Sequence, residues 1–249
     1  MLKTGEKLLQ EYKNFKRNEA LQKARYQLVT KADLLSEKII IKTIKNNFPD
    51  HQILSEEAGY VIANNKSIEF LWIIDPLDGT TNFTMHNPLW SISVALTQYN
   101  KRLDIFEPVM GFVYAPVLKE MFFAEKGRGA YLNKREIQVS SNRTKKVLNT
   151  FCHGSDTKSI KKATKYHQDQ KLSGFDCRQM GSAAIELSYV ACGRVESFMV
   201  PGVNSWDVAA GALLVEEAGG RVTDFKNNKW HTDSSDIVAS NGKVHKKIL

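Results

Sequence analysis

The sequence predicts a mixed fold, α+β over its first half and α/β over its second. Three observations lead there. Short apolar runs bounded by turn residues recur between residues 52 and 125. Two helical patterns precede them, and beyond residue 156 helical and strand patterns alternate. At 249 residues and 42% hydrophobic, the chain can bury a full core. No stretch is composed like a linker, an internal repeat or a low-complexity segment.

Taken in order, helical patterns occupy about residues 1–20 and 31–47, the second with apolar positions Leu34, Leu35, Ile39, Ile40 and Ile44. Strands follow near 52–55, 70–75, 90–98, 108–115 and 119–125, and Asn133-Lys134-Arg135 reads as a turn. After a polar, basic stretch at Ser140 to Lys146 come a helix near 156–168, another near 182–192, a strand near 195–200, a helix from Trp206 and a C-terminal strand around Ile237.

The run Leu71-Trp72-Ile73-Ile74-Asp75-Pro76-Leu77-Asp78-Gly79-Thr80-Thr81-Asn82-Phe83 is the most informative. Ile73 and Ile74 continue a buried strand, and Pro76, which cannot donate to a ladder, is expected to end it. Asp75 and Asp78 then lie on one turn, where their repulsion is costly unless a cation lies between them. Gly79 lets the backbone approach a ligand, and the N–H groups of Gly79, Thr80 and Thr81 can line an anion nest. The plain alternative is a surface turn, since Asp, Pro, Gly and Thr are common turn residues.

Three further segments bear on that choice. Leu54-Ser55-Glu56-Glu57-Ala58-Gly59 sets an acidic pair after a short apolar run, and alone would be a solvated loop. Ser205-Trp206-Asp207 opens an apolar helix that ends at Glu216-Glu217-Ala218-Gly219-Gly220. Val29-Thr30-Lys31-Ala32-Asp33 leads into the second helical pattern. For Asp207 and Asp33 the simpler role is a helix cap.

Together these segments, in this order, resemble the inositol monophosphatase family of the lithium-sensitive phosphatases, from about Val29 to Ile237. The resemblance implies a layered α-β-α-β-α sandwich of the sugar phosphatase type. It implies an N-terminal half, residues 1–140, with the metal and phosphate motifs, and a C-terminal half, residues 141–249, with the substrate side and one metal aspartate, in one compact unit. Glu56, Asp75, Asp78 and Asp207 fall on the family's metal carboxylates, and the Leu77 carbonyl on its main-chain ligand. Asp33 and Thr80 fall on the pair that orients and deprotonates the attacking water, and Glu57 acts beside Glu56 through water. Gly79, Thr80 and Thr81 fall on the phosphate turn. Gly181-Ser182-Ala183-Ala184 matches the substrate-side turn, so Ser182 and Ala183 are candidate substrate contacts, with Ser182 as a plain helix cap the alternative.

The implied activity is hydrolysis of inositol 1-phosphate or a related small phosphorylated polyol by water activated on two or three Mg²⁺ ions. Oxygen-only ligands and the absence of a His/Cys cluster favour Mg²⁺, with Mn²⁺ the other choice, over zinc. Lithium inhibition is expected by the same resemblance. Where the animal inositol enzymes carry an acid seven residues before the metal aspartate, this chain has Val200, so selectivity among polyols is reduced. Fructose 1,6-bisphosphatase or broad sugar or nucleotide phosphatase activity stays open. The family's mobile, lysine-containing N-terminal loop has Lys23 as its nearest counterpart.

Composition sets the remaining bounds. The charged N-terminus excludes a secretory segment and no apolar run is long enough to span a membrane, so a cytoplasmic protein is expected. Cys152, Cys177 and Cys192 lack C-x-x-C spacing and read as buried free thiols. A net charge of +8 suits phosphorylated substrates or nucleic acid. Lysines 145, 146, 158, 161, 162 and 165 cluster without a recognition signature and read as a solvated face. Some bacterial relatives assist transcription complexes, so RNA or RNA polymerase binding is the second reading. Relatives are commonly homodimers. His86 reads as solvated, and Phe83, Trp90 and Trp206 as packing residues.

Overall fold

A computed structural model describes residues 1–24, 27–62, 69–143 and 147–249, without the side chains of residues 18, 23, 24 and 27. Lys145 and Lys146 and the side chain of Lys23 therefore lie outside the described residues. The chain begins with α1 (Leu2–Asn14), a hairpin of β1 (Leu21–Ala24) and β2 (Gln27–Val29), and α2 (Lys31–Asn47). Seven of the next eight strands run β3 (Gln52–Ser55), β4 (Gly59–Val61), β5 (Phe70–Asp78), β6 (Ser91–Asn100), β7 (Ile105–Ala115), β8 (Glu120–Glu125) and β9 (Ala130–Leu132), with α3 (Thr80–Thr84) after β5. β10 (Arg135–Ile137) completes an eight-stranded sheet in the order β10-β9-β8-β7-β6-β5-β3-β4.

The second half supplies β11 (Leu148–Phe151), α4 (Thr157–Leu172), β12 (Asp176–Arg178), α5 (Ala183–Ala191), β13 (Ser197–Pro201), α6 (Ser205–Glu217), β14 (Arg221–Thr223), β15 (Asp236–Ser240) and α7 (His245–Ile248). Its strands form a five-stranded sheet, β12-β11-β13-β15-β14. The sheet is parallel at β11 with β12 and β13, and antiparallel at β15.

Three apolar clusters fix the layers. Leu8, Ile40 and Ile44 of α1 and α2 pack with Trp72, Ile74 and Leu77 on the outer face of the large sheet. Leu187, Leu213 and Leu214 of α5 and α6 pack between the sheets, touching Leu71 and Ile73 on one side and Phe198 and Ile237 on the other. Ala163 and Tyr166 of α4 close the far face of the small sheet against Phe151 and Met199. The order is α-β-α-β-α, the layered fold implied above.

This layering explains why β5 reads as continuously apolar, since helices cover both its faces. Alternation sends Leu71 and Ile73 inward to α5 and α6, and Trp72 and Ile74 outward to α2. The strand does not stop at Pro76 as expected; it continues to Asp78 through an irregularity in its register with β6 between Asp75 and Asp78. Proline is tolerated there because its missing N–H falls at the bulge. The bulge also resets the alternation. Leu77 joins the outer cluster, while Asp75 and Asp78, three residues apart, both reach the middle layer.

Candidate active site

The site forms where the end of β5 meets the N-termini of α5 and α6. Asp75 is buried, and its Oδ1 accepts the Leu77 N–H at 3.0 Å. Burial, then the negative charges of Glu56, Asp78 and Asp207, push it well above the usual carboxylate range. Asp78 Oδ2 accepts the Ser182 hydroxyl at 2.5 Å and the Ala184 N–H at 2.9 Å, and Oδ1 the Ala183 N–H at 3.3 Å. Burial still pushes Asp78 up to about 6, against those bonds. Asp207 stands three residues after the N-cap Asn204 of α6, accepts the Asn204 N–H at 3.0 Å, and is pushed up to about 7, again mainly by burial.

From the outer side, α2 contributes one face. Thr30 caps it, with Asp33 Oδ2 accepting both the Thr30 N–H at 2.8 Å and the Thr30 hydroxyl at 2.7 Å. The other oxygen, Oδ1, accepts the Thr80 hydroxyl at 3.2 Å. Burial lifts Asp33 to about 6, from an ordinary 3.8, a penalty on the order of 3 kcal/mol when ionised. An N-cap bond contributes about 1 kcal/mol, so capping alone does not offset this. Three and four residues on, the Ser36 hydroxyl donates to the Pro76 carbonyl at 2.6 Å, while Glu37 Oε1 accepts the Ala58 N–H at 2.9 Å and the Ser55 hydroxyl. Glu56 and Glu57 lie within that braced turn, which the Glu56 N–H also ties to Ile74 at 3.1 Å. The Glu57 charge is felt at Asp33.

Gly79 links β5 to α3 with φ +89°, and a Cβ there would stand 2.9 Å from the Leu89 carbonyl oxygen and 3.2 Å from that of Gly181. The turn is therefore closed to other residues. Thr80 begins α3, and its hydroxyl also lies 3.1 Å from the Leu77 carbonyl. Glu56, Asp78, Thr81, Ala183, Val200 and Asp207 all line one cavity of about 800 Å³, as do Gln179, Val203, Asn204 and Trp206. Trp206 thus faces this cavity as well as packing, whereas Phe83 and Trp90 are fully buried. His86 is exposed, with Nε2 3.0 Å from the Phe15 carbonyl. The amides of Ala183 and Ala184, expected to face substrate, are engaged by Asp78.

A model of the inositol monophosphatase family matches residues 1–249. The chain belongs to the inositol monophosphatase family. It is similar to the Nus factor SuhB of Pasteurella multocida, 37% identical over 242 residues that cover 95% of this chain and 88% of that protein. Among solved structures it is similar to the IMPase of Thermotoga maritima, at 32% identity and TM-score 0.87, covering 100% of this chain and 91% of that one. The extragenic suppressor protein suhB of Bartonella henselae matches at 30% identity and TM-score 0.89, covering 99% and 93%.

Members of this inositol monophosphatase family are generally Mg²⁺-dependent. Among the described residues no three His, Cys, Asp or Glu side chains are arranged to hold a metal ion as they stand, and one oxygen each of Asp75 and Asp207 and both of Asp78 accept internal hydrogen bonds. The donor chemistry nevertheless fits a hard cation. The charges of Glu56, Asp78 and Asp207 all raise Asp75, and that of Asp78 raises Asp207, a repulsion that a divalent ion would relieve. Sequence reasoning missed Ser36, Glu37, Asn82 and Glu186, which brace these turns. The available signal was polar residues at the core spacing of α2, whose buried positions are Ala32, Asp33, Ser36, Glu37, Ile40 and Ile44.

Proposed function

We propose that this chain is a Mg²⁺-dependent phosphomonoesterase acting on inositol 1-phosphate or a related small phosphorylated polyol. The observation that supports this most is the Thr80 hydroxyl, 3.2 Å from Asp33 Oδ1 and 3.1 Å from the Leu77 carbonyl, at the end of the strand that carries Asp75 and Asp78. A hydroxyl has one proton to give. Donating it to Asp33 frees the Thr80 lone pairs to accept a hydrogen bond from water, so the pair orients the nucleophile and passes its proton through Thr80 to Asp33. Asp33, lifted to about 6 by burial, is a base matched to near-neutral pH. Glu56, Asp75, Asp78, Asp207 and the Leu77 carbonyl would hold the metal, which when bound neutralises phosphoryl oxygens and acidifies water. The amides of Gly79, Thr80 and Thr81, at the start of α3, would meet the phosphate.

The leaving-group side favours a neutral alcohol. Ala183, Val200, Val203, Gln179 and Asn204 line it without charge, and His153 and Asp156 line the same cavity. Phosphate release with Mg²⁺ from inositol 1-phosphate, fructose 1,6-bisphosphate and a 3′-phosphonucleotide tests this, with Asp78→Asn as control. Turnover of the polyol ester, reduced at least about 100-fold in Asp78→Asn, is expected; near-normal turnover in that variant would sink the assignment.

A second reading draws on the relatives named as Nus factors: association with a transcription complex. The basic helix α4 supports it only in part. Lys158, Lys161, Lys162 and Lys165 are all exposed, but Lys162 sits over the Phe225 ring and Lys165 pairs with Asp169. Salt-sensitive RNA or RNA polymerase binding that survives Asp78→Asn is the result this reading requires.

A further inference from the structure

Among the buried acids that the mechanism above does not use, Glu186 is the most deeply buried. Glu186, in the first turn of α5, has no exposed surface, and its Oε1 accepts three hydrogen bonds: from the Met180 N–H at 3.1 Å, the Gly181 N–H at 3.0 Å and the Cys152 thiol at 3.1 Å. Its Oε2 is buried without a hydrogen bond of good geometry, although the Thr150 side chain stands close enough to favour the charged form. Burial pushes this carboxyl up to about 8. Burying an acid is costly, and removing this one would leave three donors without their acceptor. Satisfying those donors is one reason for its presence.

Its partners suggest another. The turn at Met180–Gly181 holds Ser182, whose hydroxyl donates to Asp78 at 2.5 Å. Gly181 takes φ +83°, a conformation that leaves consecutive amides pointing one way, and Glu186 collects them. From the opposite side the Asn82 amide donates to the Met180 carbonyl at 2.8 Å and to the Leu89 carbonyl at 2.6 Å. The turn is thus clamped between the two halves of the chain, one clamp on α5 and the other on α3. We infer that Glu186 is a positioning residue that sets the 180–182 turn, and through Ser182 the orientation of the Asp78 carboxylate, by accepting the Met180 and Gly181 amides. This rests on the phosphomonoesterase reading of the same site. What it adds is an acceptor requirement at position 186 that packing alone does not impose.

Two substitutions separate these roles. Glu186→Gln keeps an acceptor oxygen at similar volume, whereas Glu186→Met keeps the volume and removes the acceptor. The measurements are thermal midpoint, Mg²⁺ binding by calorimetry, and kcat and KM for inositol 1-phosphate. Glu186→Met is expected to fold with a lowered thermal midpoint, to bind Mg²⁺ at least about tenfold more weakly and to lose at least about tenfold in kcat. Glu186→Gln is expected within about threefold of native on both. A folded Glu186→Met with native Mg²⁺ affinity and kcat would overturn the inference, as would a Glu186→Gln as impaired as Glu186→Met. If Glu186→Met does not fold, amide hydrogen exchange in the native protein decides: slow exchange at Met180 and Gly181 is expected, and exchange at the rate of an open loop is contradictory. If the native protein releases no phosphate from any ester, the phosphomonoesterase reading fails, while Mg²⁺ binding and exchange still test the positioning role.

Discussion

Asp33 and Asp207 share one structural task. Each accepts the N-cap amide of its own helix through one carboxylate oxygen, and Asp33 gives its other oxygen to Thr80. The sequence offered capping and catalysis as alternatives, but an N3 carboxylate has two oxygens and α2 uses both. Removing the Thr80 hydroxyl separates the two functions. Thr80→Ala is expected to lower kcat by about 100-fold with little change in Mg²⁺ affinity or melting temperature, measured by steady-state turnover and calorimetry. An unchanged kcat would remove Thr80 from the proton path. Ser182 shows the same economy, since it caps α5 by accepting from Ile185 and also donates to Asp78. Its link to Asp78, 104 residues away in sequence, is a tertiary fact with no local signature.

At the scale of elements, α2 and the bulged end of β5 build the site between them. α2 presents Asp33, Ser36 and Glu37 on one face, and these hold Thr80, the Pro76 carbonyl and the Ser55–Ala58 turn. Glu37→Ala leaves the buried Ser55 hydroxyl and the Ala58 N–H without their acceptor. It is expected to cost about 1–3 kcal/mol in urea unfolding and to weaken Mg²⁺ binding, because Glu56 lies inside the released turn. A loss of stability with native Mg²⁺ affinity would contradict the second part. Gly79→Ala forces φ +89° on a residue with a Cβ and sets that carbon 2.9 Å from the Leu89 carbonyl oxygen, so strain of about 1–3 kcal/mol and impaired turnover are expected from the same assays. The long elements were legible: α2 spans Lys31–Asn47 and β3 Gln52–Ser55, as their periodicity predicts. The hairpin of β1 and β2 and the three-residue strands β4, β9, β10, β12 and β14 were not. Three residues carry no period, and their pairing is decided by the neighbouring strand. The expectation that Pro76 ends β5 failed because a bulge removes the need for its N–H.

For the whole molecule, the two sheets meet across α5 and α6, and the acidic site lies in that seam, so its charge is felt in global stability. Asp33 and Asp78 are lifted to about 6 and Asp207 to about 7, so between about pH 4 and 7 the folded protein holds protons that the unfolded chain has released. Metal-free stability from these groups therefore falls as pH rises through that window. His245 has the opposite sign. It is buried between Ser240 and Thr223 and pushed down to about 4, so it contributes stability above about pH 6.5 that is lost as pH falls toward 4. Three carboxyls outweigh one imidazole. Saturating Mg²⁺ at about one hundred times its dissociation constant is expected to raise the melting temperature by roughly 5–10 °C at pH 8. At pH 5.5 the rise is expected to be smaller, because protons compete for the same carboxylates. Equal shifts in calorimetric scans at the two pH values would contradict this.

The layer order and the pairing of Asp75 with Asp207 came from resemblance rather than periodicity, since no pattern within one element reveals which distant carboxylate it will face. That convergence of two halves on one site is the centre of the account. The most direct test is Mg²⁺-dependent phosphate release from inositol 1-phosphate by the native protein and by Asp207→Asn, followed over a range of Mg²⁺ concentrations. The account predicts turnover in the native protein, a loss of at least about 100-fold in Asp207→Asn, and a higher Mg²⁺ requirement for what remains. Native turnover and an unchanged Mg²⁺ requirement in Asp207→Asn would contradict it.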